Sequence, residues 1–181
     1  RGTFARRWAV ELAAHRSNGD SPAIETDRGA RMRVLVVDAC MLTPDRDSGS
    51  MRMQAILELV GELGGKATFV ADNLEHREPY VGALQQRGVE VLYRPYVSSI
   101  ASLLAKRGRE FDVVVLSNVL EHLDERPAFI RRVVEATQAH VVLIRVPLFE
   151  RDWRLPMRRE LDINYFSDPT HRIEHTLAEF A

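Results

Sequence analysis

The chain has 181 residues, 45% of them hydrophobic, with 25 basic side chains against 26 acidic ones and a formal net charge of −1. That length fits one domain, or one domain with an appendage, and it suffices to bury a real core. Bulk charge this small recruits neither nucleic acid nor an anionic membrane, no apolar run reaches the roughly 18 residues of a membrane span, and a lone cysteine, Cys40, excludes an internal disulfide and fits a reducing cytoplasm.

No signal-peptide pattern is present. The chain opens on Arg1 and stops inside a helix-like stretch, "HTLAEFA", so both ends are expected to be cuts through a longer protein. "TFARRWAVELAAHR" carries Phe4, Trp8, Leu12 and Ala13 at helical spacing, which predicts an N-terminal helix. "SNGDSPAIETDRGAR" has Gly, Pro, Ser and Asp without a period and reads as a linker, so residues 1–30 form an appendage.

From Arg31 the pattern changes. "RVLVVDA" is a β-branched run of the kind buried on both faces of a parallel sheet. "MRMQAILELVGEL" has helical period and ends at Gly64-Gly65, a C-cap signal. "KATFVADN" predicts a second strand, "EPYVGALQQRG" a second helix closed by Gly88, and "VEVLYRP" a third strand stopped by Pro95. "SSIASLLAKRG" predicts a third helix capped by Ser98 or Ser99. "FDVVVLSN", "DERPAFIRRVVEATQ" with Pro127 in its first turn, and "HVVLIRVP" complete the series. Strand and helix alternate five times with short connections. That demands an α/β Rossmann-like three-layer sandwich over residues 31–181, with a mostly parallel sheet of at least five strands. Beyond Pro147 the order weakens; five arginines against three acids from Arg145 to Glu160 suit a solvated face as well as an anion site.

In such a sheet ligands bind beyond the carboxyl ends of the strands, where the strand order reverses. The first loop, "TPDRDSGSMRM", is one place to look. Gly49 admits close backbone approach, Ser48 or Ser50 caps the next helix, and the helix N-terminus with Arg52 offers an anion site. Asp45 and Asp47 are available to accept hydroxyl protons. An ordinary capped turn with solvated charges explains the same residues. Asp72 closes the second strand, where an acid holds ribose hydroxyls or simply starts a turn. In "SNVLEHL", Asn118 sits at the expected switch point, and His122 is a base, a hydrogen-bond donor or a surface histidine. "DPTHRIEH" puts His171 and His175 four apart, as one helical face would. With no H-E-x-x-H and no evident third ligand, no metal is expected. No G-x-S-x-G elbow occurs, and Cys40 is expected to be buried and structural.

Residues 31–115, through "RVLVVDACMLTPDRDSGSMRM" and "FVADNLEHREPYVGALQQRGVEVLYRPYV", resemble the N-terminal half-domain of GT-B-type glycosyltransferases of bacterial surface-polysaccharide clusters. "FARRWAVELAAHRSNGDSP" is similar to the tail of a preceding glycosyltransferase module in large fused proteins of that kind. Residues 111–181, through "FDVVVLSNVLEHLDERPAFIRRVVEAT" and "VLIRVPLFERDWRLPMRRELDINYFSDPTHRIEHTLAEF", are similar to the later half of class I S-adenosylmethionine-dependent methyltransferases. The chain thus reads as a hybrid joined near "FDVVVLSN". It lacks the C-terminal Rossmann domain that holds most sugar-nucleotide contacts in the first family, and the Gly-rich first loop of the second.

These resemblances imply donor-site roles. Asp45, Ser48, Gly49, Ser50 and Arg52 fall on the glycosyltransferase's interdomain-facing loop. Asn118, Leu120, Glu121 and His122 fall on the methyltransferase's segment after strand four, and Asp72 takes its ribose-acid position. The implied function is a transferase fragment of bacterial surface-polysaccharide biosynthesis, moving a sugar from a sugar nucleotide to a glycan acceptor. One alternative is an S-adenosylmethionine-dependent methyltransferase acting on a sugar or glycan, with His122 as the first choice of base and His171 the second. Another is an inactive docking or spacer domain. The expected partners are a small-molecule donor, a glycan acceptor and other modules of a larger polypeptide. The expected location is cytoplasmic, with any contact to the inner membrane made through partners.

Overall fold

The structure is a computed structural model that describes residues 2–13, 15, 22–137 and 139–180. Two short helices, α1 (Gly2–Arg7) and α2 (Ala9–Ala13), replace the single N-terminal helix expected, and neither buries a side chain. Without a buried face to hold them in line, nothing opposes the break between them. Part of the expected linker lies outside the described residues. The remainder is not wholly irregular: it carries α3 (Pro22–Thr26). The Arg33 guanidinium fastens that segment to the sheet, donating to the Ile24 and Asp27 carbonyls at 2.9 Å each.

The expected alternation then follows, with β1 (Arg33–Asp38), α4 (Ser48–Glu62), β2 (Lys66–Ala71), α5 (Tyr80–Gln86), β3 (Glu90–Leu92), α6 (Ile100–Arg107), β4 (Val113–Ser117), α7 (Arg126–Thr137) and β5 (Val141–Arg145). All four strand pairings are parallel, in the order β3-β2-β1-β4-β5. This is a Rossmann-like α/β fold, and the strand order reverses between β1 and β4.

Side chains alternate between two cores, as a pleated strand requires. Val34 and Val36 of β1 join Phe69, Met53, Leu57 and Leu84 beneath α4 and α5. Leu35 and Val37 join Leu103, Leu104, Leu116 and Val133 beneath α6 and α7. Central β1 is buried on both faces from Val34 onward, which explains its β-branched composition. Edge strand β5 is open by comparison, with Leu143 54% exposed.

Two glycines have definite reasons to be there. Gly64 closes α4 at φ +76°, a conformation that side chains resist. At Gly108 a Cβ would stand 2.6 Å from the Ala136 carbonyl oxygen of α7, so the end of α6 packs there only without one.

After β5 the chain makes a 3-10 turn at Phe149–Arg151, a short helix α8 (Arg154–Glu160), and an irregular return. Two backbone bonds tie that return down: Phe149 N–H to the His175 carbonyl at 2.6 Å, and Arg172 N–H to the Glu121 carbonyl at 2.7 Å. No helix among the described residues is long and apolar enough to cross a membrane.

Candidate functional site at the strand carboxyl ends

The central strands end flush. Ala71, Asp38, Ser117 and Arg145 occupy one register row across β2, β1, β4 and β5. Residues in register on parallel strands share a face, so the last three form a polar row at the switch point. Arg145 Nη1 donates to the Ser117 hydroxyl at 3.2 Å. Asp38 is buried, and that burial raises its pKa against the opposing pull of Ser117, the Ala39 N–H, Asn118 and Arg145. Asp72 begins one residue past β2, its N–H bonded to the Asp38 carbonyl at 2.8 Å. Its pKa is raised by desolvation, with His122 close enough to counter part of the rise.

Asn118 stands at φ +52°, in the left-handed region that asparagine tolerates better than branched residues. That kink turns the chain out of β4 into a 3-10 turn at Leu120–His122. Leu120 packs into the core beneath α6 and α7 instead of facing the rim.

The first loop departs from expectation at the helix start. Asp47, not Ser48 or Ser50, is the N-cap of α4. Its carboxylate accepts from Ser50 N–H at 2.7 Å, Ser50 Oγ at 2.6 Å and Thr43 Oγ1 at 3.0 Å. Burial works to raise its pKa, but these bonds outweigh it and hold the group below the usual carboxylate range. The helix N-terminus therefore already holds an anion of its own. Ser50 is buried in that network, its hydroxyl accepting from Thr43 N–H at 2.9 Å. Gly49 lies under Arg145, whose Nη2 would be 3.7 Å from a Cβ placed there. Asp45, Ser48 and Arg52 are solvent-exposed. Cys40, expected to be buried, is exposed, because it falls on the bend after β1 and not in the strand.

The returning C-terminal segment builds the densest group of titratable side chains. Glu121 is 1% exposed and neither of its carboxylate oxygens has a hydrogen-bond partner. Burial raises its pKa against the opposing pull of its own backbone N–H and of His122, and nearby Asp38 and Glu174 add to the rise. The His122 and His171 rings meet edge to face, centroids 4.9 Å apart. One ligand atom from each of Glu121, His122 and His171 lies within 4.8 Å of the others, so the third partner not evident in the sequence is present in space.

Both rings are held from behind. His122 Nδ1 meets Thr170 Oγ1 at 3.0 Å, and that hydroxyl lies 2.5 Å from Asp168 Oδ1. The hydroxyl proton goes to the carboxylate, the stronger acceptor, so Thr170 accepts from His122 Nδ1–H. His171 Nδ1 donates to Glu174 Oε1 at 2.9 Å. Glu174 is buried, yet bonds from the Ser167 N–H and hydroxyl and from His171 bring its pKa below the usual range. His175 does not share a helical face with His171. It sits in an isolated bridge with Leu148 and meets Glu179 through Nδ1 at 3.1 Å.

The structure thus gathers Asp72, Asn118, Glu121, His122 and His171 around one rim. It leaves Asp45, Ser48 and Arg52 on the loop surface. Sequence reading missed Asp38, Arg145, Asp168, Thr170 and Glu174. Only register and the C-terminal return bring these together, although the strand-end position of Asp38 was a usable signal. No protein-family model matches the chain, and no curated protein matches it.

Proposed function

We propose that this chain is a transferase domain that binds S-adenosylmethionine across the β1–β4 rim and methylates a hydroxyl of a sugar or glycan. The observation that carries this reading is the sign of the charge at the rim. Asp38 and Asp72 stand at it, and Asp47 fills the N-terminus of α4, the helix that follows β1. A carboxylate about 6 Å from a ligand charge contributes roughly 3 kcal/mol at an effective dielectric of about 20. That favours a sulfonium cation and opposes a nucleotide diphosphate.

When bound, the donor would supply an electrophilic methyl group, its S–C bond breaking as a C–O bond forms, with the acceptor hydroxyl's proton passing to a ring nitrogen of His122 or, second, His171. Asp72, directly beyond β2, is placed to accept bonds from ribose hydroxyls. Asn118 turns the backbone out of β4 at this rim, and His122 and His171, beside Glu121, are the side chains assigned to the acceptor hydroxyl. The resemblance of residues 31–115 to glycosyltransferases of surface-polysaccharide clusters supports a place in cytoplasmic polysaccharide assembly, beside other modules of a larger polypeptide.

One observation favours the glycosyl alternative. The Arg145 guanidinium beside Gly49 is a cation suited to a donor phosphate. Calorimetry of the untagged chain with S-adenosylmethionine, S-adenosylhomocysteine and a panel of sugar nucleotides separates the two. Saturable heat with the first two, weakened at least about tenfold in Asp72→Asn, is expected. A flat titration with both, alongside sugar-nucleotide heat that vanishes in Arg145→Ala, would overturn the methyl reading. Heat with none, and no ligand-induced rise in melting temperature, would leave a spacer domain.

A further inference from the structure

The geometry points to a binding site for a divalent first-row transition metal such as zinc, formed by the Glu121 carboxylate and one imidazole nitrogen each from His122 and His171. It holds whichever donor the rim takes.

Three independent observations converge on it. The ligand atoms are already together, within 4.8 Å of one another, although His171 arrives from a segment 49 positions after His122. A tetrahedral site with bonds of about 2.1 Å spaces its ligand atoms about 3.4 Å apart, so closure needs each pair of atoms to approach by no more than about 1.4 Å. Next, Glu121 is 1% exposed and both its oxygens lack a partner. Leaving a buried carboxylate so unsatisfied costs free energy unless a cation or a proton compensates it.

The third observation concerns the tautomers. Thr170 takes the Nδ1 proton of His122, and Glu174 takes that of His171. Each ring then carries its lone pair on Nε2, the form that binds a metal. A carboxylate behind one ligating histidine, and a carboxylate relayed by a hydroxyl behind the other, are the supports that orient such rings and raise their basicity.

The donor set also selects the ion. Two imidazoles and one carboxylate suit zinc and its first-row neighbours, whereas magnesium and calcium favour oxygen. Three protein ligands leave a coordination position open, as in catalytic rather than structural sites. A hydroxyl bound there would lose its proton more readily. His122 and His171 would then act as ligands, and not as the free bases that sequence reasoning suggested.

The test uses the untagged chain, stripped with a chelator and dialysed. Zn2+ is titrated by calorimetry, and Co2+ by its visible absorption. One equivalent is expected to bind, with a rise in melting temperature. Glu121→Gln, His122→Ala and His171→Ala are each expected to lower affinity at least about tenfold, and Thr170→Val and Glu174→Gln about tenfold. His140→Ala, an exposed histidine elsewhere, is expected to bind as the wild type does. Absence of binding by a wild-type chain that melts cooperatively would overturn the proposal. Binding unchanged in Glu121→Gln and His171→Ala would do so equally. Neither titration contains a donor, so its outcome is separate from that of the donor experiment.

Discussion

His122 and Thr170 lie 48 positions apart in the chain and share a 3.0 Å hydrogen bond at the carboxyl rim of the sheet. The bond fixes which ring nitrogen carries the proton, because the Thr170 hydroxyl spends its own proton on Asp168. Thr170→Val removes the acceptor and keeps the shape. Nitrogen-15 NMR of the imidazoles is expected to show His122 as the Nδ1–H tautomer in the wild type and a shift toward Nε2–H in the variant. The stability change should stay within about 1 kcal/mol, the usual net value of one hydrogen bond. An unchanged tautomer would refute the assignment.

Glu121 gives a prediction of the opposite kind, a stabilising substitution. Its folded-state pKa is raised, chiefly by burial, so the folded protein binds this proton more tightly than the unfolded chain. Stability therefore falls as pH rises from the ordinary carboxylate range through the raised value, and stays lowered above it. In metal-free protein Glu121→Gln removes that penalty. A gain of about 1–3 kcal/mol, or about 2–12 °C in melting temperature, is expected above neutrality. It should shrink toward zero near pH 4, where the carboxyl is protonated in both states. A loss of stability at pH 8 would contradict this.

Burial separates two large hydrophobic residues of the same sheet, one in β2 and one in edge strand β5. Phe69 is 0% exposed in β2, beneath α4 and α5, whereas Leu143 is 54% exposed in β5. Phe69→Ala is expected to cost about 3–5 kcal/mol, and Leu143→Ala within about 0.5 kcal/mol, by denaturant unfolding. Comparable losses would mean that β5 is covered in solution.

The strands and helices were legible because buried parallel strands are written in β-branched runs, as in "RVLVV" and "DVVVL", and because glycine marked helix ends such as Gly64. Asn118 and Asp72 were legible for the same reason: each ends a readable strand. The ligand cluster was not. His171 and His175 have helical spacing, but Pro169 follows Asp168, and the Asp168 side chain takes the Thr170 N–H at 2.7 Å, a local bond that competes with helix. Their four-residue spacing thus placed them on different neighbours. What joins His171 to Glu121 is the Arg172 N–H bond to the Glu121 carbonyl, a long-range backbone contact without a side-chain signature. At the start of α4, "DSGS" offered three capping residues, and only geometry shows that Asp47 takes the role.

Asp47 therefore decides what the first loop can hold. Its carboxylate satisfies the Ser50 N–H, with further bonds from Ser50 Oγ and Thr43 Oγ1. Asp47→Ala should cost about 1–2 kcal/mol, or about 2–8 °C in melting temperature. Because the folded pKa is depressed, this contribution is present above the ordinary carboxylate range and is lost as pH falls through the folded value. The gap between wild type and variant should therefore narrow below about pH 4. Removing the resident anion also frees the helix N-terminus, with the Arg145 guanidinium alongside. Inorganic phosphate is expected to raise the melting temperature of Asp47→Ala more than that of the wild type. An equal rise in both would show that phosphate binds elsewhere, or that Asp47 gives way to it, and would remove the electrostatic case against a diphosphate donor.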